Sequence, residues 1–600
     1  MHNLAAKRTA KLREQMAKHG IDLYVVPTAD YHGSEYVGEH FKAREYITGF
    51  TGSAGTAVIT MEEAGLWTDG RYFIQAKEQL QGSGVTLQRM EEEGVPSVKE
   101  YIESKLKPGG CLGFDGRTVC AKAGEEYETL AAAKQAKLDT TKDLAGQIWE
   151  NRPPLSKEPF FVLEEAYAGC TVAKKLSMVR AKMEEKGADL HILSSLYDIA
   201  WLLNVRGGDI SHVPVVLSYL VLSKKECVWF VQEDIITDAQ KEFLSENQIT
   251  TMPYDAVYAY VAAASAKAVL YDEHSVNYML LQSIPKQAKR IAGQNPTELL
   301  KAVKNPTELR NTVTAHIKDG LAFTKFMYWL KTNIGKIPMT ERSASDYLEQ
   351  LRRAQENFLD LSFDTICAYG ANAAKMHYAA TPESDATLKP EGFLLVDSGG
   401  HYLEGTTDIT RTMALGPVTE EMRRNFTAVL RANLNLADAK FLYGCKGIQL
   451  DILAREPLWE LCLDYKCGTG HGVGHILNVH EGPNAFRWRL REGEESKDNG
   501  VLEEGMVTTD EPGVYIEGAY GIRIENELVC RRAQKNEYGQ FMRFETITYA
   551  PVDLDAVDER YLSPCEKERL NAYHRKVYET LSPHLPDAER EWLKEYTREI

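Results

Sequence analysis

The sequence predicts a protein of mixed α/β and α+β class, in which one α/β unit is used twice and a third part of different character follows. Three observations carry this. Two segments echo each other: KLREQMAKHGIDLYVV starting at Lys11 and KLSMVRAKMEEKGADLHIL starting at Lys175. Each opens with an amphipathic helix that stops at a glycine, Gly20 in KHG and Gly187 in EKG, as expected for a left-handed position after a helix end. A short strand follows (DLYVV, DLHIL), then a turn and a second aromatic-rich stretch, and this alternation argues for a repeated α/β unit. The second observation is punctuation. ENRPPLSKEPF at 150–160 reads as a linker between the copies, and another break falls at NPTELLKAVKNPTEL, 295–309. The third is a change of period: beyond that break comes a long helix, ELRNTVTAHIKDGLAFTKFMYWLKTNI, and then strand-rich, glycine-punctuated sequence. The expected domains are 1–153, 154–304 and 305–600.

Bulk properties narrow the function classes. A length of 600 residues exceeds one hydrophobic core and suggests roughly three or four domains. Hydrophobic content of 44% with 26% charged residues is that of a soluble globular enzyme. The formal charge of −17 disfavours a nucleic-acid partner, which needs a basic face to hold phosphates. Ten cysteines are scattered without a CxxC pair, so neither a zinc ribbon nor a thioredoxin-type site is indicated, and reduced, buried thiols fit the cytoplasm. MHNLAAKRTAKLREQMAKHG lacks a signal-peptide apolar core, and AEREWLKEYTREI is too charged for a lipid-anchor signal. The most apolar internal run, VPVVLSYLVL at 213–222, is half a membrane span. The expectation is a cytoplasmic protein with no membrane partner.

Chemistry concentrates in the third part. GTGHGVGHILNVHEGP, residues 468–483, holds His471, His475 and His480. His471 and His475 have the spacing of a helical zinc pair, but Gly472 and Gly474 lie between them and each helical glycine costs about 1 kcal/mol relative to alanine. The general-base glutamate of HExxH is also missing, so other ligands are needed. FLLVDSGGHYLEGTTDITRTMAL reads strand, turn, strand, with Asp397 ending an apolar run and Asp408 in an alternating segment. A carboxylate at the end of such a run is costly to bury without a cation, though a strand-terminal Asp also caps turns. MVTTDEPGVY supplies Glu511 before a proline-glycine turn. AYGIRIENELV puts Ile522 and Ile524 on one face and Arg523 and Glu525 on the other. Alone, Glu511 is a turn residue and Glu525 a solvated strand residue. Together, Asp397, Asp408, His471, Glu511 and Glu525 are four hard carboxylates and one imidazole, a mix that suits a pair of divalent ions bridged by carboxylates at roughly 3.5–4 Å.

The order VDSGG, TTDITRT, GHGVG, NVHEGP, TDEPGVY and GIRIEN resembles the metallopeptidases of the pita-bread fold. Within them it is most similar to the Xaa-Pro aminopeptidases (aminopeptidase P) of the long, three-domain, cytosolic type, and WLLNVRGGDI at 201–210 resembles that branch as well. The resemblance spans essentially the whole chain and implies two creatinase-like α/β domains before a pita-bread catalytic domain with a C-terminal helical extension. Methionine aminopeptidases share the five-ligand logic without two such N-terminal domains, and creatinase shares the fold without the ligands.

Carried over residue by residue, the resemblance implies that Asp397, Asp408, His471, Glu511 and Glu525 hold two divalent ions, with Asp408 and Glu525 bridging. Manganese is favoured, and zinc, cobalt or iron is compatible with the spacing. His480 corresponds to a catalytic histidine that hydrogen-bonds substrate near the scissile amide, His377 in AAKMHYAATPE to another active-site histidine, and Arg523 to an arginine beside the bridging glutamate. Tyr538 lies approximately where the family has a substrate-binding tyrosine. His475 has no motif role and is expected to be packed or to support the ligands. The loop GANAAKMHY departs from the family's Asn-Gly turn and β-branched residues. The implied reaction is release of the first residue from peptides with proline second, by attack of a hydroxide held between the ions, with Glu511 as proton acceptor. Xaa-Pro dipeptidase is the nearest alternative, and a non-catalytic peptide-binding protein the remote one. A homodimer is implied, to which the C-terminal helices YLSPCEKERLNAYHRKVYETL and EREWLKEY are expected to contribute.

Overall fold

The computed structural model describes residues 2–490 and 499–600. The chain divides into two compact units, one formed by Met1–Glu164 with Cys170–Thr297 and the other by Glu165–Gly169 with Glu298–Ile600.

The first unit holds two six-stranded sheets of the same topology. In the first, Leu23–Pro27 lies centrally, antiparallel to Thr56–Thr60 and parallel to Cys111–Phe114. In the second, Leu190–Leu193 takes the same place, antiparallel to Ser218–Ser223 and parallel to Ala268–Tyr271. The echo in sequence is thus an echo in strand order and sense. Both central strands are buried on both faces, which is why DLYVV and DLHIL read as continuous apolar runs rather than alternating ones. The helices before them end as their glycines require: Gly20 and Gly187 have φ of +66° and +69°. The next residue's N–H closes each end, Ile21 onto Met16 O at 2.9 Å and Ala188 onto Met183 O at 2.8 Å.

The long helix of the second unit is Pro306–Asn333. Its start is closed by a capping box between Asn305 and Glu308, with Pro306 in the first turn, where its missing N–H costs nothing. The helix Glu341–Arg353 packs beside it. Arg352 grips Asp319 with two hydrogen bonds, 2.8 and 3.0 Å, and Tyr402 Oη donates to the same carboxylate at 3.0 Å. Three strands, Ile366–Tyr369, Phe393–Ser398 and Ile409–Ala414, form one antiparallel sheet in which Asp397 stands opposite Thr410. The turn expected between the last two is itself structured, because Gly400–Tyr402 pairs with both Phe358–Leu361 and Gly405–Thr406 in a small side sheet. A six-stranded sheet carries Gly470–Gly472, Glu481–Phe486, Val507–Asp510 and Asn526–Asn536, and the hairpin Gly513–Ile516/Tyr520–Arg523 lies between the last two in sequence. The unit is α+β, in contrast to the repeated α/β sheets. In the C-terminal helix Asp587–Tyr596, Trp592 stacks on Tyr596 and meets Tyr328 edge-on, so these rings serve packing within the chain.

Candidate metal centre

Four strand-borne segments bring acidic groups to one place. Asp397 is the fifth residue of the strand Phe393–Ser398, and Asp408 immediately precedes Ile409–Ala414. His471 is the middle residue of Gly470–Gly472. Gly470 is needed beside it, since a Cβ there would lie 1.9 Å from the Thr509 carbonyl oxygen. That close approach brings His471 Nε2 within 3.4 Å of Glu511 Oε1 and 3.5 Å of Asp408 Oδ2. Glu525 sits at the junction of Tyr520–Arg523 and Asn526–Asn536. Its Oε2 accepts from Thr410 Oγ1 at 2.6 Å, and ligand atoms of Asp408, His471 and Glu525 all lie within 4.8 Å of one another. Glu525 is 1% exposed, so it is not the solvated strand residue that alternation alone suggests.

The donor set is short of protons and of cations. His471 Nδ1 lies 2.9 Å from the Gly472 carbonyl oxygen, which only accepts, so the Nδ1 carries hydrogen and the Nε2 is turned toward the carboxylates. Asp397 Oδ1 and Asp408 Oδ1 are buried without a hydrogen-bond partner. Burial, reinforced by Asp397, Glu511 and Glu527, holds the Asp408 carboxyl well above the usual range; burial and then Asp408, Glu511 and Asp397 do the same to Glu525. Lone pairs converging on one point, with like charges crowded around it, fit a hard divalent cation. Asp397, Asp408, His471, Glu511 and Glu525 are therefore the residues that would hold such ions. The imidazole is oriented by a backbone carbonyl on its far nitrogen, as metal-binding histidines commonly are.

Around this cluster the structure brings some expected residues close and not others. Arg523 Nη2 pairs with Asp397 Oδ2 at 2.5 Å, and Nη1 donates to Tyr515 Oη at 2.5 Å. Burial opposes the charge on Arg523, but Tyr515, Asp397, Glu511 and Glu525 outweigh it and keep the guanidinium charged. The His480 ring meets His471 edge-on, centroids 4.2 Å apart. His377 follows Met376, whose carbonyl oxygen accepts from Arg523 Nη2 at 3.4 Å. His475 is packed: its Nδ1 lies 3.3 Å from Thr312 Oγ1 and its Nε2 3.2 Å from the Tyr167 carbonyl. Tyr538 is a correction. It stands at the tip of the hairpin joining Asn526–Asn536 to Gly539–Thr546 and is 74% exposed, away from the cluster. The tyrosine that reaches the cluster is Tyr515 of TDEPGVY, which sequence reasoning passed over. It stands opposite Gly521 in register, two residues before Arg523 and on the same face of the hairpin, and that alternation was the available signal.

Two further residues escaped the sequence. Glu527 Oε1 accepts the Asp408 N–H at 2.8 Å and lies 3.0 Å from His316 Nε2, both side chains being buried. His316 Nδ1 donates to the Thr312 carbonyl at 2.8 Å, and neighbouring Glu527 raises the imidazole's pKa against the opposing effect of burial. The pair thus anchors the backbone of Asp408 from below the cluster.

Comparison with known proteins yields matches over nearly the whole length. Metallopeptidase family M24 matches residues 311–532, and the C-terminal region of peptidase M24 matches 540–600. The creatinase/prolidase N-terminal domain matches twice, at 8–152 and 151–308. Aminopeptidase P2 of Arabidopsis thaliana is 37% identical, covering 97% of this chain and 86% of its own length. A probable Xaa-Pro aminopeptidase P of Laccaria bicolor is 36% identical over 98% of this chain and 92% of its own. Among solved structures, the X-prolyl aminopeptidase of Caenorhabditis elegans, described as a cytosolic enzyme with a di-nuclear active site, superposes with a TM-score of 0.94 at 32% identity, over 99% of this chain and 100% of that one.

Proposed function

Because the chain belongs to the aminopeptidase P branch of the M24 metallopeptidases, with two creatinase-type domains before the catalytic one, we propose that it releases the N-terminal residue from peptides whose second residue is proline. The observation that carries this reading is the cluster of Asp408, His471 and Glu525 ligand atoms within 4.8 Å, flanked by Asp397 and Glu511. Two divalent cations, manganese by preference, fit these five residues. When bound they supply Lewis acidity and lower the pKa of water toward neutrality.

The chain's own groups do the rest. Glu511 Oε1, at the rim of the cluster with its side chain 19% exposed, takes the proton of the attacking water. His480 hydrogen-bonds the scissile carbonyl as charge develops on it, and His377 borders the bound proline. Arg523, fixed between Asp397 and Tyr515, keeps Asp397 oriented. The Xaa-Pro bond is a tertiary amide without an N–H, so a site that reads the pyrrolidine ring rather than backbone pairing suits it.

The division into 1–153, 154–304 and 305–600 is supported by the matches at 8–152, 151–308 and 311–532. A cytoplasmic setting is supported by the likeness to the Caenorhabditis elegans enzyme described as cytosolic; among the described residues, no helix is long and apolar enough to cross a membrane. A homodimer is supported by exposed apolar side chains, Ile452, Leu453, Trp459 and Trp488, the last two with ring centroids 6.1 Å apart. Turnover of Ala-Pro-Pro and Ala-Pro with manganese, then with a chelator, tests the activity. Release of alanine from the tripeptide, abolished by chelation, is expected; cleavage confined to the dipeptide, or indifference to chelator, contradicts it.

A further inference from the structure

Between the strands Ile366–Tyr369 and Phe393–Ser398 the chain makes a long excursion that carries His377 and has little regular structure of its own. It lies on the hairpin of the metal cluster so tightly that a Cβ on Gly521 would be 1.9 Å from the Ala373 carbonyl oxygen. Its first part, GANAAKMHY at 370–378, has none of the β-branched residues that stiffen a chain from within. Tyr378 Oη lies 3.0 and 2.9 Å from the Ser384 carbonyl oxygen and Oγ within the loop, and the loop's further anchoring comes from outside it.

One carboxylate supplies it. Glu341 opens the helix Glu341–Arg353 and is 0% exposed. Its Oε1 accepts from the Tyr369 N–H at 2.7 Å and from Asn372 Nδ2 at 3.0 Å. Its Oε2 accepts from Tyr378 Oη at 2.8 Å and from the Ala386 N–H at 3.0 Å. Asn372 Nδ2 also reaches Oε2 at 3.2 Å, so four neutral donors share the two oxygens, and among the described residues no cation pairs with them. All four donors belong to the excursion or its rim, and none to the carboxylate's own helix, whose capping falls to Thr340. They bracket His377 on both sides, and the Tyr378 donor is its immediate neighbour. A buried carboxylate is costly unless its lone pairs are met, so the same four donors that offset that cost hold the loop to one conformation.

We propose that Glu341 is a positioning residue for the aminopeptidase reaction: it fixes the 369–386 loop and, through Tyr378, sets His377 against the substrate. The inference rests on the reading of His377 as a residue that meets substrate. Glu341→Gln replaces one acceptor oxygen with a donor that faces other donors, and leaves the metal ligands untouched.

The test is a double-mutant cycle in the manganese-loaded enzyme, with kcat and KM for Ala-Pro-Pro read separately and manganese affinity read by equilibrium dialysis. Misplacement of a substrate-positioning group by an ångström costs about 100-fold, and that loss in kcat/KM is expected of Glu341→Gln. In the His377→Ala background the same change should cost less than about 2-fold, because residues acting as one unit are not additive. Manganese affinity should stay at the wild-type value in every variant. Losses that multiply, an unaltered kcat/KM, or weakened manganese binding each overturn the proposal. Full turnover by His377→Ala overturns instead the reading of His377 on which it rests. If Glu341→Gln does not fold, Tyr378→Phe, which removes one of the four donors, carries the same cycle with an expected loss of about 10-fold from the single hydrogen bond.

Discussion

Two sets of buried carboxylates in the C-terminal unit are treated in opposite ways. Asp319 and Glu341 are saturated: Arg352 and Tyr402 complete the first, and four neutral donors complete the second. Asp397, Asp408 and Glu525 are crowded together, with orphaned oxygens on the first two and one arginine among them. The difference appears in proton affinity. Burial would raise Asp319, but the Arg352 charge outweighs it and holds the carboxyl below its ordinary range, whereas burial and neighbouring carboxylates push Asp408 and Glu525 up. A saturated carboxylate is part of the scaffold; an unsaturated crowd is built for something that arrives from solution.

Removing a member of the crowd gives the largest expected effect. Asp408→Asn should keep the circular dichroism spectrum of the parent and lose more than about 1,000-fold in kcat, since the proposed bridging carboxylate would be lost. Near-normal turnover in that variant would remove the basis for its bridging role.

Removing the partner of a saturated carboxylate should act on stability instead. Arg352→Leu strands Asp319 in the interior and should cost about 3–5 kcal/mol, measured by urea unfolding. Because the folded-state pKa of Asp319 is depressed, the pair's stabilisation is full above the ordinary value of 3.8 and is lost as the pH falls through the depressed one. The parent should therefore lose stability over that acid range, and Arg352→Leu should lack this part of the loss. An identical acid limb in both proteins would contradict the assignment.

Glu527 sharpens the comparison, since it belongs to neither set: His316 partners it, yet it holds the Asp408 backbone. Glu527→Val should weaken manganese binding about 10–100-fold, and Glu527→Gln, which keeps the acceptor oxygen, should recover most of it. Equal affinities in the parent and the valine variant would make the pair a packing feature only. The smallest effect belongs to Tyr538. Substitution by alanine at this exposed hairpin tip should change kcat/KM by less than about 2-fold and stability by no more than about 0.5 kcal/mol.

Much of this was legible from local pattern. The left-handed glycines Gly20 and Gly187, the long helix from Pro306, and the acidic strand ends at Asp397 and Asp408 each follow from a few neighbouring residues. What escaped depends on long-range register. Tyr515 and Tyr538 both sit in hairpins, and only the pairing of Gly513–Ile516 with Tyr520–Arg523 reveals which ring faces Arg523. Glu527 reads as one more residue of an alternating strand until His316, over two hundred positions earlier, is placed beside it. Glu341 reads as an ordinary acidic residue of a helix's first turn; its four partners come from the following loop.

Every role proposed for the catalytic unit requires that the acidic cluster be a cation site. Calorimetric titration of manganese into chelator-stripped protein, repeated with Asp408→Asn, tests it most directly. The prediction is saturable binding at a pair of sites per chain with a rise in thermal midpoint, both lost in the variant. Binding that is absent in the parent, or that the variant retains at both sites, would contradict it.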